Sequence, residues 1–204
     1  FEFRIILPNG KERYISAHVG IKTDELGNSI RLLGTNQDIT EQKEIELRII
    51  HQAYHDPLTQ LPNRMKLNQE LEYLLQPGQA SHHPFAILWV DLDYFKQIND
   101  NHGHLAGDAV LQDVAKRLKA QTQQGDLVAR VGGDEFIIML KSAGDVQKLN
   151  DCAQNILKEF QQPILFENLL LKVGTSIGGA IYPLHGENVE SLFRAADIAL
   201  YQVK

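Results

Sequence analysis

Cysteine occurs once in the 204 residues, at Cys152. A single thiol closes no internal disulfide, so the chain is not a cystine-stapled secreted scaffold. Clustered cations are also missing. The 20 Lys and Arg are outnumbered by 26 Asp and Glu, the net charge is −6, and no basic run occurs. Binding to a nucleic-acid backbone needs such clusters and is not expected. The longest strongly apolar run is Phe85–Val90, far short of the ~20 residues of a membrane span, and there is no signal-peptide pattern. The expected location is cytoplasmic. The chain opens abruptly on Phe1-Glu2-Phe3 and stops at Lys204, inside what reads as a helix. It is expected to be a piece of a longer parent, and only other parts of that parent would attach it to a membrane. With 43% hydrophobic and 23% charged residues, it has the composition of a globular domain, or of one domain plus part of another.

Residues 1–40 read as β structure. Phe1, Phe3, Ile5 and Leu7 alternate with more polar neighbours, the period of a half-buried strand. Pro8-Asn9-Gly10 signals a turn, a second strand covers about Arg13–Lys22, and Asp24–Asn28 breaks it before a third begins at Ile30. Thr40–Tyr54 turns helical, with Thr40 as a candidate N-cap, although Lys43 stands where a capping box wants Glu or Gln. Leu47, Ile50 and Tyr54 form a stripe with Ile45 and Ile49 beside it. The stripe spans under two heptads, so the expectation is a linker helix packed on its own domain. A parallel coiled coil between two copies is the alternative.

From residue 56 the elements alternate: a helix over Asn63–Leu75, a strand over Phe85–Leu92, a helix over Asp108–Ala120, and strands Leu127–Val131 and Glu135–Leu140 joined at Gly132-Gly133. A helix over Asp145–Phe160 follows, then strands Ile164–Lys172 and Val173–Ile181 and a last helix from Val189. The expected class is α/β (α+β), a central mixed sheet flanked by helices.

The chemistry-bearing residues gather in three places. In Trp89-Val90-Asp91-Leu92-Asp93 an apolar strand ends in two acids, which alternation sends to one face. Acids there are costly unless solvated or paired, and a divalent cation removes that cost. The plainer reading is that they cap the next helix. Gly132-Gly133-Asp134-Glu135 puts acids at a tight hairpin, which alone is unremarkable. Together the two segments offer Asp91, Asp134 and Glu135 to one pocket, a set suited to two divalent ions and in-line phosphoryl displacement. Third, Lys96 follows the acids, and amides around Tyr94–Lys96 can open a helix onto phosphate. The Asp108 carboxylate can accept from guanine N1 and N2, a donor pair adenine lacks, with Asn99 serving the remaining edge. The competing readings are a helix N-cap for Asp108 and a helix C-cap for Asn99.

These segments together resemble the GGDEF domains of diguanylate cyclases. Asp56-Pro57-Leu58-Thr59-Gln60-Leu61-Pro62-Asn63-Arg64 is similar to the family's opening block. Asp91–Asp100 with Gly103-His104 and Gly107-Asp108 resembles the central one, and Gly132–Phe136 the name-giving motif. Ser176-Ile177-Gly178, Ala196-Asp197, Ala199-Leu200-Tyr201 and Lys204 resemble the later blocks. The resemblance implies a fold similar to the polymerase palm and class III cyclases, and condensation of two GTP into cyclic di-GMP and two pyrophosphates. It implies Mg²⁺, with Mn²⁺ as a substitute, held by Asp91, the Leu92 carbonyl, Asp134 and Glu135. It assigns catalysis to Asp134 (general base), Glu135 and Lys96. Substrate binding falls to Asn99, Asp108, His104, Tyr94, Phe95 and Lys204. Each domain holds one GTP, so a homodimer is required.

Residues 1–40, ending Gly34-Thr35-Asn36-Gln37-Asp38-Ile39-Thr40-Glu41, resemble the last antiparallel strands of a PAS sensor. The implied organisation is PAS strands over 1–40, a linker helix over 41–54, and a GGDEF domain over 55–204 truncated at its C-terminal end. An EAL phosphodiesterase domain can follow in the parent, and the alternative function is a catalytically silent GTP-binding module regulating it. Two positions depart from the family. Gln60 stands where Gly is usual, and the feedback Arg-x-x-Asp site reads Gln123-Gln124-Gly125-Asp126. His51, His55, His82, His83 and His185 lack metal-ligand company.

Overall fold

The computed structural model describes residues 1–27, 29–76, 84–141 and 143–203. Asn28, His82, His83 and Lys204, named above, lie outside the described residues. The chain divides into two compact units, Phe1–Ala53 and Tyr54–Lys204.

The first unit is a three-stranded antiparallel sheet, β1 (Glu2–Ile6), β2 (Glu12–Thr23) and β3 (Ser29–Asp38), in that order, followed by helix α1 (Thr40–Tyr54). The half-buried alternation expected of the first strand holds only at Ile5 and Leu7, while Phe1 and Phe3 are exposed. Phe3, Val19, Ile21 and Leu32 share one face by register; these four are exposed, whereas Ala17 on the same face is buried. Thr40 is the first helical residue rather than a cap. Its hydroxyl donates to Asp38 Oδ1 at 2.5 Å and accepts from the Tyr14 amide at 2.9 Å, while Asp38 Oδ1 takes the Thr40 amide at 2.9 Å. Those bonds and the Lys43–Glu2 ion pair fasten the first turn to the sheet. The rest of α1 is not packed as expected. Ile45, Leu47, Ile49 and Ile50 are 47–59% exposed.

The second unit contains α2 (Arg64–Leu75), β4 (Phe85–Asp93), α3 (Phe95–His102), α4 (His104–Ala120), β5 (Leu127–Gly132), β6 (Glu135–Leu140) and α5 (Val146–Phe160). Strands β7 (Ile164–Phe166), β8 (Leu169–Leu171) and β9 (Gly174–Tyr182) and helix α6 (Val189–Tyr201) complete it. The main sheet runs β5-β6-β4-β9, and every pairing in it is antiparallel, where a mixed sheet was expected. The helical crossover does make β4 and β5 parallel, but β6 inserts between them. β4 likewise separates the parallel pair β6 and β9. Two interleaved split βαβ units result, the ferredoxin-like arrangement.

Helices cover both faces. Ala86, Leu88, Val90 and Leu92 of β4 pack toward α4 and α5 (Val110, Leu111, Val114, Leu149, Ile156). Phe85, Ile87 and Trp89 pack toward α2 and α6 (Leu67, Leu71, Leu192, Ala196). That double cover is why β4 reads as an unbroken apolar run. Each Val, Leu, Ile or Phe among them contributes about 1.5–3 kcal/mol relative to exposure. Trp89 meets Phe193 edge-on at 5.6 Å. Asp91 and Asp93 continue the Trp89 parity past this packing, at the strand's rim. Several expected boundaries change, α4 beginning at His104 rather than Asp108. Ile164–Lys172 is a hairpin, turned at Glu167 with φ 52°, and α6 closes at Tyr201 rather than running to the chain end.

Candidate active site

Asp91 stands directly opposite Glu135 of β6 on one side and Ser176 of β9 on the other. The Leu92 amide donates to the Asp134 carbonyl at 3.3 Å, so the β4 rim and the β5–β6 turn are bonded. Because Gly132 pairs with Glu135, the turn is Gly133-Asp134, one residue later than expected, and Asp134 sits in the turn itself. Asp91, Asp93, Asp134 and Glu135 are half-buried, and Leu92 is buried facing the opposite layer. The Thr175 hydroxyl donates to the Asp91 carbonyl at 2.9 Å and the Ser176 hydroxyl to Asp93 Oδ1 at 2.8 Å.

A cleft of about 450 Å³ opens beside the rim, lined by Asp91, Asp93, Tyr94, Ser176 and Val203. Asp134, Glu135, Lys96, Asn99, His104 and Asp108 do not line it. A second depression, about 340 Å³, shares Asp93 and Tyr94 with it and continues along α3 past Gln97 and Asn101. Tyr94 takes a left-handed conformation (φ 57°, ψ 23°) and is the N-cap of α3 without a side-chain cap bond. The opening amides of α3 thus follow the acids with no capping side chain, and Lys96 is exposed in the first turn.

The capping alternatives for Asn99 and Asp108 do not hold. Asn99 lies inside α3, whose C-cap is Gly103, and Asp108 lies inside α4, which starts at His104. Asn99 is half-buried against α4, while Asp108 and His104 are exposed. Neither Asn99 nor Asp108 is spent on ending a helix.

Among the described residues no group of three or more His, Cys, Asp or Glu is assembled as a metal cage. The donor set nevertheless fits Mg²⁺, which prefers hard oxygens and binds through one or two carboxylates plus substrate phosphates and water. Asp91 with Glu135 across the ladder, and Asp134 in the adjoining turn, provide that chemistry.

Asp93, paired with Asp91 in the sequence but given no site role, lines the cleft with Ser176, whose signal was the Ser176-Ile177-Gly178 block. One feature was missed in the sequence. Arg130, directly before the motif, reaches back to the opening block. Its Nη1 donates to Asp56 Oδ1 and Oδ2 at 3.0 and 3.2 Å, and its Nη2 and Nε donate to the Gly133 carbonyl at 2.7 and 3.1 Å. Burial pushes the Asp56 carboxyl up, but the Thr59 hydroxyl and amide and the Arg130 guanidinium outweigh it and hold it below the usual range. Asp126, closing Gln123-Gln124-Gly125-Asp126, accepts the Gln123 and Lys141 amides, each at 2.9 Å. It lines a cavity of about 340 Å³ with Lys148, Asp151 and Cys152. His185 serves a turn, its Nδ1 accepting the Ile181 amide at 2.9 Å.

The sequence model described as "Diguanylate cyclase, GGDEF domain" matches residues 53–204. Diguanylate cyclase TpbB of Pseudomonas aeruginosa is 40% identical over 157 residues, 76% of this chain and 36% of that protein. The bifunctional diguanylate cyclase/cyclic di-GMP phosphodiesterase MucR of the same species is 38% identical over 156 residues, 76% of this chain and 23% of that protein. The chain thus spans well under half the length of either. The solved structure of an N-terminally shortened TpbB (YfiN) comprising only the GGDEF domain superposes with a TM-score of 0.70 at 39% identity, covering 74% of this chain and 88% of that one.

Proposed function

The chain belongs to the GGDEF-domain family of diguanylate cyclases, and on that footing we propose that it condenses two GTP into cyclic di-GMP and two pyrophosphates in a Mg²⁺-dependent reaction between two facing copies. The observation that carries the reading is the meeting of Asp91 with Glu135 across the ladder, with Leu92 bonded to Asp134. Asp91, the Leu92 carbonyl, Asp134 and Glu135 would hold the cation, which would supply charge neutralisation on the phosphates. Asn99 and Asp108 hold guanine. Lys96, the opening amides of α3 and Lys204 meet phosphate, and Tyr94, Phe95 and His104 border the nucleotide. The Asp134 carboxylate takes the proton of the GTP 3′-hydroxyl. That oxygen bonds to the α-phosphorus of the GTP on the facing copy as the bond to pyrophosphate breaks. Positioning and charge supply most of the rate.

The dimer reading is supported by the exposed Ile45, Leu47, Ile49 and Ile50 of α1, a stripe that a second copy would cover. The first unit is read as the closing strands of a PAS sensor, supported by its exposed Val19, Ile21 and Leu32 and the Gly34–Glu41 block. The setting is read as cytoplasmic.

The test is incubation with GTP and Mg²⁺ and chromatographic detection of cyclic di-GMP, with Asp134→Ala as control. Product from the wild type and a loss of about 10²–10³ in the variant support the cyclase. GTP binding without product in a demonstrated dimer supports instead a silent module serving a phosphodiesterase domain.

A further inference from the structure

A side chain at position 107 has no room. A Cβ built on Gly107 would overlap Asn99 Oδ1, lying 2.9 Å from Asn99 Cγ and 3.2 Å from Phe95 Cζ. Gly107 is buried in the first turns of α4, and the next residue is the exposed Asp108. Glycine is the poorest residue after proline for a helix interior, and Gly107 is not among the residues of positive φ. Its backbone conformation therefore suits any residue, and what α4 uses here is the missing side chain.

We propose that Gly107 is the positioning residue for guanine recognition. Its bare backbone seats the Asn99 amide against α4, one residue from the Asp108 carboxylate, so that one base meets both polar groups. The proposal rests on the reading of Asn99 and Asp108 as the guanine pair. A methyl at position 107 pushes the amide away from Asp108 and leaves the helix otherwise intact, since Ala favours helix more than Gly does.

The experiment compares Gly107→Ala, Asn99→Ala and the double variant for dissociation constants of GTP and ATP in Mg²⁺, with thermal melts of each. Gly107→Ala is expected to weaken GTP binding about tenfold, the scale of one lost hydrogen bond, and to narrow the GTP-over-ATP preference, with the melting temperature held. In the Asn99→Ala background the same change is expected to add less than about twofold, because contacting residues are not additive. Wild-type GTP affinity in Gly107→Ala alongside impaired Asn99→Ala overturns the inference and leaves the guanine reading standing. Unchanged affinity in Asn99→Ala overturns both. If Gly107→Ala fails to fold while the double variant folds, the overlap with Asn99 is upheld. If neither folds, the space serves the Phe95 ring and the inference fails.

Discussion

Arg130 and Asp56, 74 positions apart, are joined by two hydrogen bonds of 3.0 and 3.2 Å while the same guanidinium grips the Gly133 carbonyl. The opening block and the acid-bearing turn are thereby one polar assembly, with both charged side chains largely buried (15% and 18% exposed). Removing one partner strands the other, and a hydrogen bond to a charged group is worth about 1.5–3 kcal/mol. Arg130→Ala is expected to lose stability in that range by denaturant unfolding and to lower turnover by loosening the turn before Asp134. Arg130→Lys, which cannot reproduce the fork, should recover only part of either.

The same pair sets an acid limit. The Asp56 carboxyl is lowered in the folded chain, so its contribution is complete above the unfolded value of about 3.9 and is lost as pH falls through the lower folded value. Melting temperature should therefore fall from about pH 5 downward. Asp56→Asn should start lower and show a shallower acid slope, read by calorimetry across pH 3–6.

Gln60 has φ 58°, a region that costs a non-glycine residue about 1–2 kcal/mol. Its side chain returns one hydrogen bond, Nε2 to the Pro57 carbonyl at 2.7 Å, and glycine would loosen the unfolded chain by about 0.5–1 kcal/mol. These terms nearly cancel. Gln60→Gly should change stability by no more than about 1 kcal/mol, whereas a β-branched Gln60→Val should cost more, both measured by urea unfolding.

Burial raises the pKa of the Cys152 thiol, with the Asp126 charge adding to it. Less thiolate is present near neutrality, and the thiolate is the nucleophile. Alkylation at pH 7.5 should run slower than for free cysteine and accelerate with pH beyond the ordinary thiol range.

What could be read from the sequence tracks how directly each pattern reports its surroundings. β4 was legible because helices on both faces demand the run Phe85–Val90. A helix opening near Tyr94–Lys96 was expected, but its run to His102 was not legible because only Ile98 of its eight residues is buried. The β7–β8 hairpin was hidden because its turn uses Glu167-Asn168, with no glycine or proline between two leucine-rich runs. The stripe on α1 was legible as a stripe, but periodicity says nothing of what covers it. Asp91, Asp134 and Glu135 could be grouped because strand ends and hairpins place side chains by simple alternation. The contact of Arg130 with Asp56 depends on how distant segments pack, and that of Gly107 with Asn99 on the angle between consecutive helices α3 and α4, neither of which a local pattern encodes.

The central claim is that acids from the β4 rim and the β5–β6 turn hold one cation site against a guanosine triphosphate. Anomalous diffraction from crystals grown with Mn²⁺ and a non-hydrolysable GTP analogue measures it most directly. The account predicts a peak in reach of Asp91 and of Asp134 or Glu135, adjoining the phosphates. A metal found away from Asp91, or a nucleotide bound with no cation between these segments, would contradict it.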